Sequence, residues 1–236
     1  MTEERFAPGS DFHAVNEGPS IYPYTAVAYV VSTFADGTSF AGTGVMVGPN
    51  DVLTSAQLLW DAEHGGSAVS VTVTPAYNDG IAPFGTFQAD SNALSYFMID
   101  TDGDGFLTHN EAQYDVGIIG LNANVGAMTG TFGIDTFCDT GSLMLTGYPS
   151  GFAGAGGPLM MNDYLGVTAD DSFWTWDIAP GTADLRPGDI GAPLWLDNGA
   201  GPNVAGIATS EFGAVDVTLA FNDMMDWIRG NDFLLA

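Results

Sequence analysis

The chain has 236 residues, 46% of them hydrophobic, with 29 aspartates and glutamates against three arginines and no lysine, for a formal net charge of −26. That size and apolar content suffice for one double-layered domain or two small barrels. Such an acidic surface repels nucleic acid and anionic membranes, which excludes a phosphate-binding role.

Two explanations of the acidity stay open: adaptation to a saline habitat, and attraction of divalent cations such as calcium. Either way, self-repulsion is expected to weaken the fold at low ionic strength. Cys138 is the only cysteine, so no intrachain disulfide is possible. The polar start, Met1-Thr2-Glu3-Glu4-Arg5, has no apolar core of a cleavable signal peptide. No apolar run approaches the ~20 residues of a membrane span. The last five residues, Asp232 to Ala236, resemble the acidic-then-apolar ending of uncleaved bacterial secretion signals. A secreted or extracellular location is the expectation.

In chain order, residues 1–20 are expected to form a polar arm, followed by a domain over 21–236. Strand-like runs cover 24–34, 38–47, 51–55 and 68–74, where valines alternate with Ser70 and Thr72. Asp36-Gly37 is a hairpin turn signal. A loop rich in Asn, Gly and Pro covers 75–85, and 92–98 reads as a short helix. A strand follows at 116–121. In the second half, strands are expected at 142–147, 172–177, 193–197, 204–209 and 214–219, with a glycine-rich loop at 151–158. Phe221, Met224, Met225 and Ile228 fall at i, i+3, i+4 and i+7, a closing helix capped by Asn222 or Asp223 and stopped by Gly230. Glycine, proline, valine and aromatic usage, with many short strands and one helix, implies an all-β sandwich or paired barrels.

Residues 100–111 read Asp-Thr-Asp-Gly-Asp-Gly-Phe-Leu-Thr-His-Asn-Glu. A twelve-residue EF-hand loop needs oxygens at positions 1, 3, 5, 7, 9 and 12 and a glycine at 6. Asp100, Asp102, Asp104, the Phe106 carbonyl, Thr108 and Glu111 fall at those positions, with Gly105 at the turn and Leu107 as the apolar anchor. Random acidity does not place the glycine, leucine and glutamate in this register. The expected cofactor is Ca2+ rather than Mg2+, because three aspartates and a bidentate glutamate supply the oxygens of a seven-ligand site. No paired second loop is visible, and the exit helix has little room before Tyr114. A lone site with a dissociation constant on the order of micromolar to millimolar is expected.

Several further segments carry a family resemblance. They are Tyr22-Pro23-Tyr24, Gly42-Thr43-Gly44 through Thr54-Ser55-Ala56-Gln57, Tyr114-Asp115-Val116-Gly117, Gly147-Tyr148-Pro149, Gly188-Asp189-Ile190-Gly191-Ala192-Pro193 and Gly206-Ile207-Ala208. Together they resemble the trypsin/chymotrypsin-like serine proteases, and most closely the bacterial glutamyl endopeptidases. The resemblance runs from about Tyr22 to Arg229, apart from the acidic loop. It implies a double six-stranded β-barrel with a C-terminal helix. Barrel one would cover about 21–125 with the loop at 100–111 inserted, and barrel two about 126–236.

The resemblance also implies a triad at positions 57, 115 and 190, with the amides of Gly188 and Ile190 forming an oxyanion hole. Of the three, only Asp115 matches. Gln57 stands where the family has its histidine base, and an amide accepts no proton near neutral pH. Ile190 stands where it has its serine and has no nucleophilic atom. Losing such members costs on the order of 10⁶-fold, because the triad acts as a unit. His13, His64 and His109 have no serine placed for them, and Ser210 has no obvious base. Ala208 stands where glutamyl endopeptidases carry the histidine that receives an acidic side chain. Gln57 is expected to hydrogen-bond Asp115.

The leading expectation is a calcium-binding pseudoprotease with a binding or structural role, its partner a peptide or protein in the former substrate groove. Two alternatives stand beside it: a calcium-dependent serine-type endopeptidase with non-standard catalytic groups, and a calcium-dependent adhesion or matrix module.

Overall fold

The computed structural model describes residues 13–15, 20–100, 102–104, 107–138, 140–169, 174–178, 185–209 and 213–236. A two-residue strand, β1 (His13–Ala14), comes first. Then come β2 (Val27–Thr33), β3 (Ser39–Met46) and β4 (Asp51–Thr54), a small ribbon of β5 (Trp60–Asp61) and β6 (Gly66–Ser67), β7 (Ser70–Pro75) and β8 (Phe87–Tyr96). A one-turn helix, α1 (His109–Ala112), leads into β9 (Gly117–Leu121). Strands β2, β3, β4, β9, β8 and β7 close, in that order, into a six-stranded barrel. The β2–β3 turn is the predicted one: Gly37 has φ +89°, and Asp36 Oδ1 accepts the Thr38 N–H at 2.8 Å.

Residues 92–98, expected as a helix, fall largely in β8. The strand leaves register with β9 between Ala89 and Leu94 and pairs again at Leu94↔Ile119. Such a bulge interrupts the two-residue alternation and makes a strand read as something else. Asp90 Oδ1 accepts the Asn92 N–H at 2.8 Å at the bulge.

After α2 (Gly126–Thr129) come β10 (Gly133–Ile134), β11 (Thr140–Gly147), β12 (Met161–Ala169), β13 (Thr175–Ile178), β14 (Pro193–Asp197), β15 (Pro202–Ala208) and β16 (Ala214–Asp216). The path β12-β11-β14-β15-β16-β13 closes through pairing of β12 with β13, giving a second six-stranded barrel, and β1 adds to the edge of β12. β12 was not among the expected strands. Its inward face is Met161, Asp163, Leu165 and Val167, and the buried aspartate breaks the apolar alternation. Residues 172 and 173 of the expected strand at 172–177 lie outside the described residues.

The last helix, α3 (Phe221–Asn231), returns to barrel one. Its N-cap is Ala220, with no side-chain cap, and it runs through Gly230, so neither Asn222, Asp223 nor Gly230 bounds it as expected. Packing of Met224, fully buried, decides instead. At the far end Asn231 Nδ2 donates to Asp51 Oδ1 at 2.9 Å, and Asn50 Nδ2 donates to the Asn231 carbonyl at 3.2 Å. Burial pushes the Asp51 carboxyl up to about 6.

One apolar core fills barrel one and continues to Trp195, Val204 and Ile207 of barrel two; a second surrounds Trp176. A third, small cluster joins Ile99, Leu107 and Ala112, around the acidic loop, to Ala56. Among the described residues no helix is long and apolar enough to cross a membrane.

Candidate functional site

Strand β4 ends at Thr54 and the chain turns into a single 3-10 turn, Ala56–Leu58, with Ser55 at its N-cap. This turn presents Gln57 to Asp115, which follows α1 and donates its own N–H to the Ala112 carbonyl at 3.0 Å. Asp115 is fully buried. Its Oδ1 accepts the Ser55 hydroxyl at 2.6 Å and the Gln57 backbone N–H at 3.0 Å. Its Oδ2 accepts the Gln57 side-chain amide, Nε2, at 2.7 Å. The same Nε2 also donates to Thr209 Oγ1 at 3.1 Å. The expected Gln57–Asp115 bond is therefore present, and both N–H bonds of the amide are engaged.

The segment around Ile190 is held by barrel one. Thr43, in β3, donates its N–H to the Ile190 carbonyl at 2.9 Å and its hydroxyl to the Gly188 carbonyl at 2.8 Å, and that hydroxyl accepts the Tyr148 N–H at 3.1 Å. Ile190 is half-buried and packs against the barrel-one core. Residues 186–189 form a turn in which the Asp189 N–H donates to the Arg186 carbonyl at 2.9 Å, with Pro187 and Gly188 (φ +94°) at the centre. Proline then glycine with positive φ defines a type II turn. A Cβ at Gly188 would stand 2.2 Å from the Tyr148 carbonyl, so only glycine fits. The Pro187 carbonyl accepts the Ser150 N–H at 2.6 Å. Because N–H and C=O point opposite ways across a trans peptide, the Gly188 N–H faces away from Ser150.

Asp189 is buried. Its Oδ2 accepts the Arg186 N–H at 3.1 Å, and among the described residues its Oδ1 has no hydrogen-bond partner. Burial pushes this carboxyl up to about 7, against the smaller opposing pull of the Arg186 hydrogen bond and charge.

Ala208, where the resemblance gives the groove histidine, is fully buried among barrel-two core residues. The next residue, Thr209, meets Gln57. Neither Thr209 nor Ser55 was singled out in the sequence. Strand alternation past Ala208 was the available signal for the first, and the cap position before Ala56 for the second. His64 faces two carboxylates: its Nδ1 is 2.8 Å from Asp36 Oδ2 and its Nε2 3.9 Å from Asp61 Oδ2. Ser210 lies outside the described residues.

In the acidic loop, Asp100, Asp102 and Asp104 offer carboxylate oxygens within 4.8 Å of one another. The Asp104 N–H donates to Asp100 Oδ1 at 3.0 Å. Glu111 Oε2 accepts the Thr108 N–H at 3.0 Å and its hydroxyl at 2.8 Å, while Thr108 Oγ1 accepts the Glu111 N–H at 3.3 Å. This reciprocal capping box starts α1. Gly105 and Phe106 lie outside the described residues. The all-oxygen donor set fits a hard divalent cation.

No family model matches the chain. A glutamyl endopeptidase of Bacillus licheniformis is 30% identical over 146 residues, 60% of this chain and 41% of that protein. An extracellular metalloprotease of Bacillus subtilis is 26% identical over 145 residues, 61% of this chain and 44% of that protein. The match thus spans less than half the length of either relative. Among solved structures, a Glu endopeptidase aligns with a TM-score of 0.72 at 21% identity, covering 94% of this chain and 97% of that one. A scabies mite inactivated protease paralogue aligns with a TM-score of 0.62 at 15% identity, covering 87% and 95%. The fold is that of the trypsin-like serine proteases, and a glutamyl endopeptidase is among the sequence relatives.

Proposed function

We propose that this protein is a calcium-binding, catalytically inactive trypsin-like protease homologue with a binding or structural role, its former substrate groove taking a peptide or protein segment. The observation that carries this reading is the Gln57–Asp115 hydrogen bond: the residue in the base position is a neutral amide donating to the aspartate. A proteolytic triad needs an imidazole there to take the nucleophile's proton. Position 190 holds a hydrocarbon side chain, so neither half of the nucleophile–base pair has the required chemistry. The inactivated mite paralogue indicates that such a fold persists without proteolysis.

The calcium part rests on the three clustered carboxylates and on the register of Thr108 and Glu111. Asp100, Asp102, Asp104, Thr108 and Glu111, with the Phe106 carbonyl, would hold the ion. Ile99, Leu107 and Ala112 pack on Ala56, next to Gln57, so an ordered loop supports the Asp115 side of the groove. An extracellular setting, with calcium abundant, accords with the name of the Bacillus subtilis relative.

The test is covalent labelling with a fluorophosphonate, which reacts with activated serines. Mass spectrometry is expected to find no adduct at any serine, with or without calcium. A stoichiometric adduct would overturn the proposal in favour of a non-standard peptidase.

A further inference from the structure

On the outer face of barrel two lies a cavity of about 500 Å³, within the size range of small-molecule sites. Its floor is the outward side of β11, β12 and β14, where Ser142, Met144, Tyr164 and Trp195 alternate with the core residues Leu143, Leu145, Leu165 and Leu194. Tyr22 and Asp197 also line it. None of the lining residues belongs to the Gln57–Asp115–Ile190 site, and the inference goes beyond the proposed function.

The walls are fixed before any ligand arrives. Tyr22 donates its hydroxyl to the Thr131 carbonyl at 2.8 Å and packs edge-on against Phe132, at 6.4 Å between centroids. Phe132 in turn meets Trp195 edge-on at 5.4 Å. The Trp195 Nε1–H donates to Thr146 Oγ1 at 2.9 Å, so the indole's polar atom is satisfied within the protein. Tyr164, which also lines the cavity, is 62% exposed. Three aromatic side chains therefore border one space with a carboxylate beside it, and among the described residues no basic side chain lines it. Asp197 is near enough to Tyr22 for its charge to add to the rise that burial imposes on the phenol.

Aromatic faces with an adjacent carboxylate in a strongly negative protein select positive charge on an apolar body. A neutral apolar ligand gains nothing from Asp197, and an anion is repelled by it and by the net charge of −26. The geometry points to this cavity as a binding site for a small organic cation, an alkylated ammonium held between Tyr22, Tyr164 and Trp195 with Asp197 as counter-charge.

The test titrates the full chain, in fixed salt and saturating calcium, with choline and with its uncharged isostere 3,3-dimethylbutan-1-ol, read by calorimetry and ligand-observed NMR. Choline is expected to bind about tenfold more tightly than the alcohol, within the range of cation–π energies. Tyr164→Leu, which keeps apolar bulk without a ring, and Asp197→Asn are each expected to weaken choline about fivefold. Asp177→Asn, a charge-matched change elsewhere on barrel two, is expected to leave it unchanged. Thermal melting confirms that each variant folds, and a peptide carrying trimethyl-lysine, run in parallel, identifies by tighter binding an ammonium borne on a chain. Equal binding of choline and alcohol overturns the site. So does an unaffected Tyr164→Leu variant, or an equal loss in Asp177→Asn and Asp197→Asn, which would mean diffuse acidity alone.

Discussion

Gln57 Nε2 donates to Asp115 Oδ2 at 2.7 Å and to Thr209 Oγ1 at 3.1 Å, so one amide nitrogen spans from the barrel-one aspartate to the end of β15 in barrel two. An imidazole in this position would take up and release a proton; the amide nitrogen only donates. On the proposed reading the contact is structural, and its loss should be felt in stability.

Asp115→Ala removes the acceptor of three donors: the Ser55 hydroxyl, the Gln57 backbone N–H and Gln57 Nε2. Leaving buried donors unpaired costs about 1–3 kcal/mol each, and with partial relaxation the expected loss is about 3 kcal/mol. Gln57→Ala leaves Oδ1 still bonded and is expected to cost about 1 kcal/mol. Chemical denaturation of the two variants checks the ordering.

The Gly188 N–H, which the Pro187–Ser150 bond turns away from Ser150, is the donor the proposed oxyanion hole would use. The double variant Gln57→His with Ile190→Ser is expected to hydrolyse an activated ester well above the parent, while either single variant stays at the parent's rate, because base and nucleophile act as a unit. Initial rates on a nitrophenyl ester measure this. A double variant as inactive as the singles would mean that the turn does not serve as an oxyanion hole.

The Asp189 carboxyl is ordinary in the unfolded chain and pushed up to about 7 in the folded one. Its contribution to stability is therefore fully present below about pH 4 and is lost as pH rises through about 7. Asp189→Asn should match the parent near pH 4 and exceed it at pH 8 by on the order of a few kcal/mol. Denaturation at the two pH values reads the difference directly; a variant equally destabilised at both would contradict it.

Calcium is expected to raise the melting temperature, and a chelator to reverse the rise. Replacing Asp100 and Glu111 together by alanine removes a carboxylate from each end of the loop and should abolish the shift. An unchanged calcium-dependent shift in that double variant would refute the assignment of the loop. If calcium changes association but not melting, the adhesion reading gains instead.

Much of barrel one was legible because Val30, Val45, Val52 and Val73 keep a strand's alternation and Asp36-Gly37 punctuates it. What escaped were places where tertiary contacts override local pattern. The bulge between Ala89 and Leu94 hid part of β8, the buried Asp163 hid β12, and α3 ends where Asn231 docks on Asp51 rather than at its glycine. At the site, the positions of Gln57 and Asp115 could be read from motif order. Thr209 and Ser55 could not, because their roles depend on how two distant segments meet.

Absence of proteolysis is read most directly from hydrolysis of a mixed fluorogenic peptide pool at high protein concentration, in millimolar calcium and again with chelator. An inactive homologue is expected to give no turnover in either condition beyond that of the Asp115→Ala variant. Turnover that disappears both with chelator and with Asp115→Ala would contradict it, and would make the acidic loop part of a working enzyme.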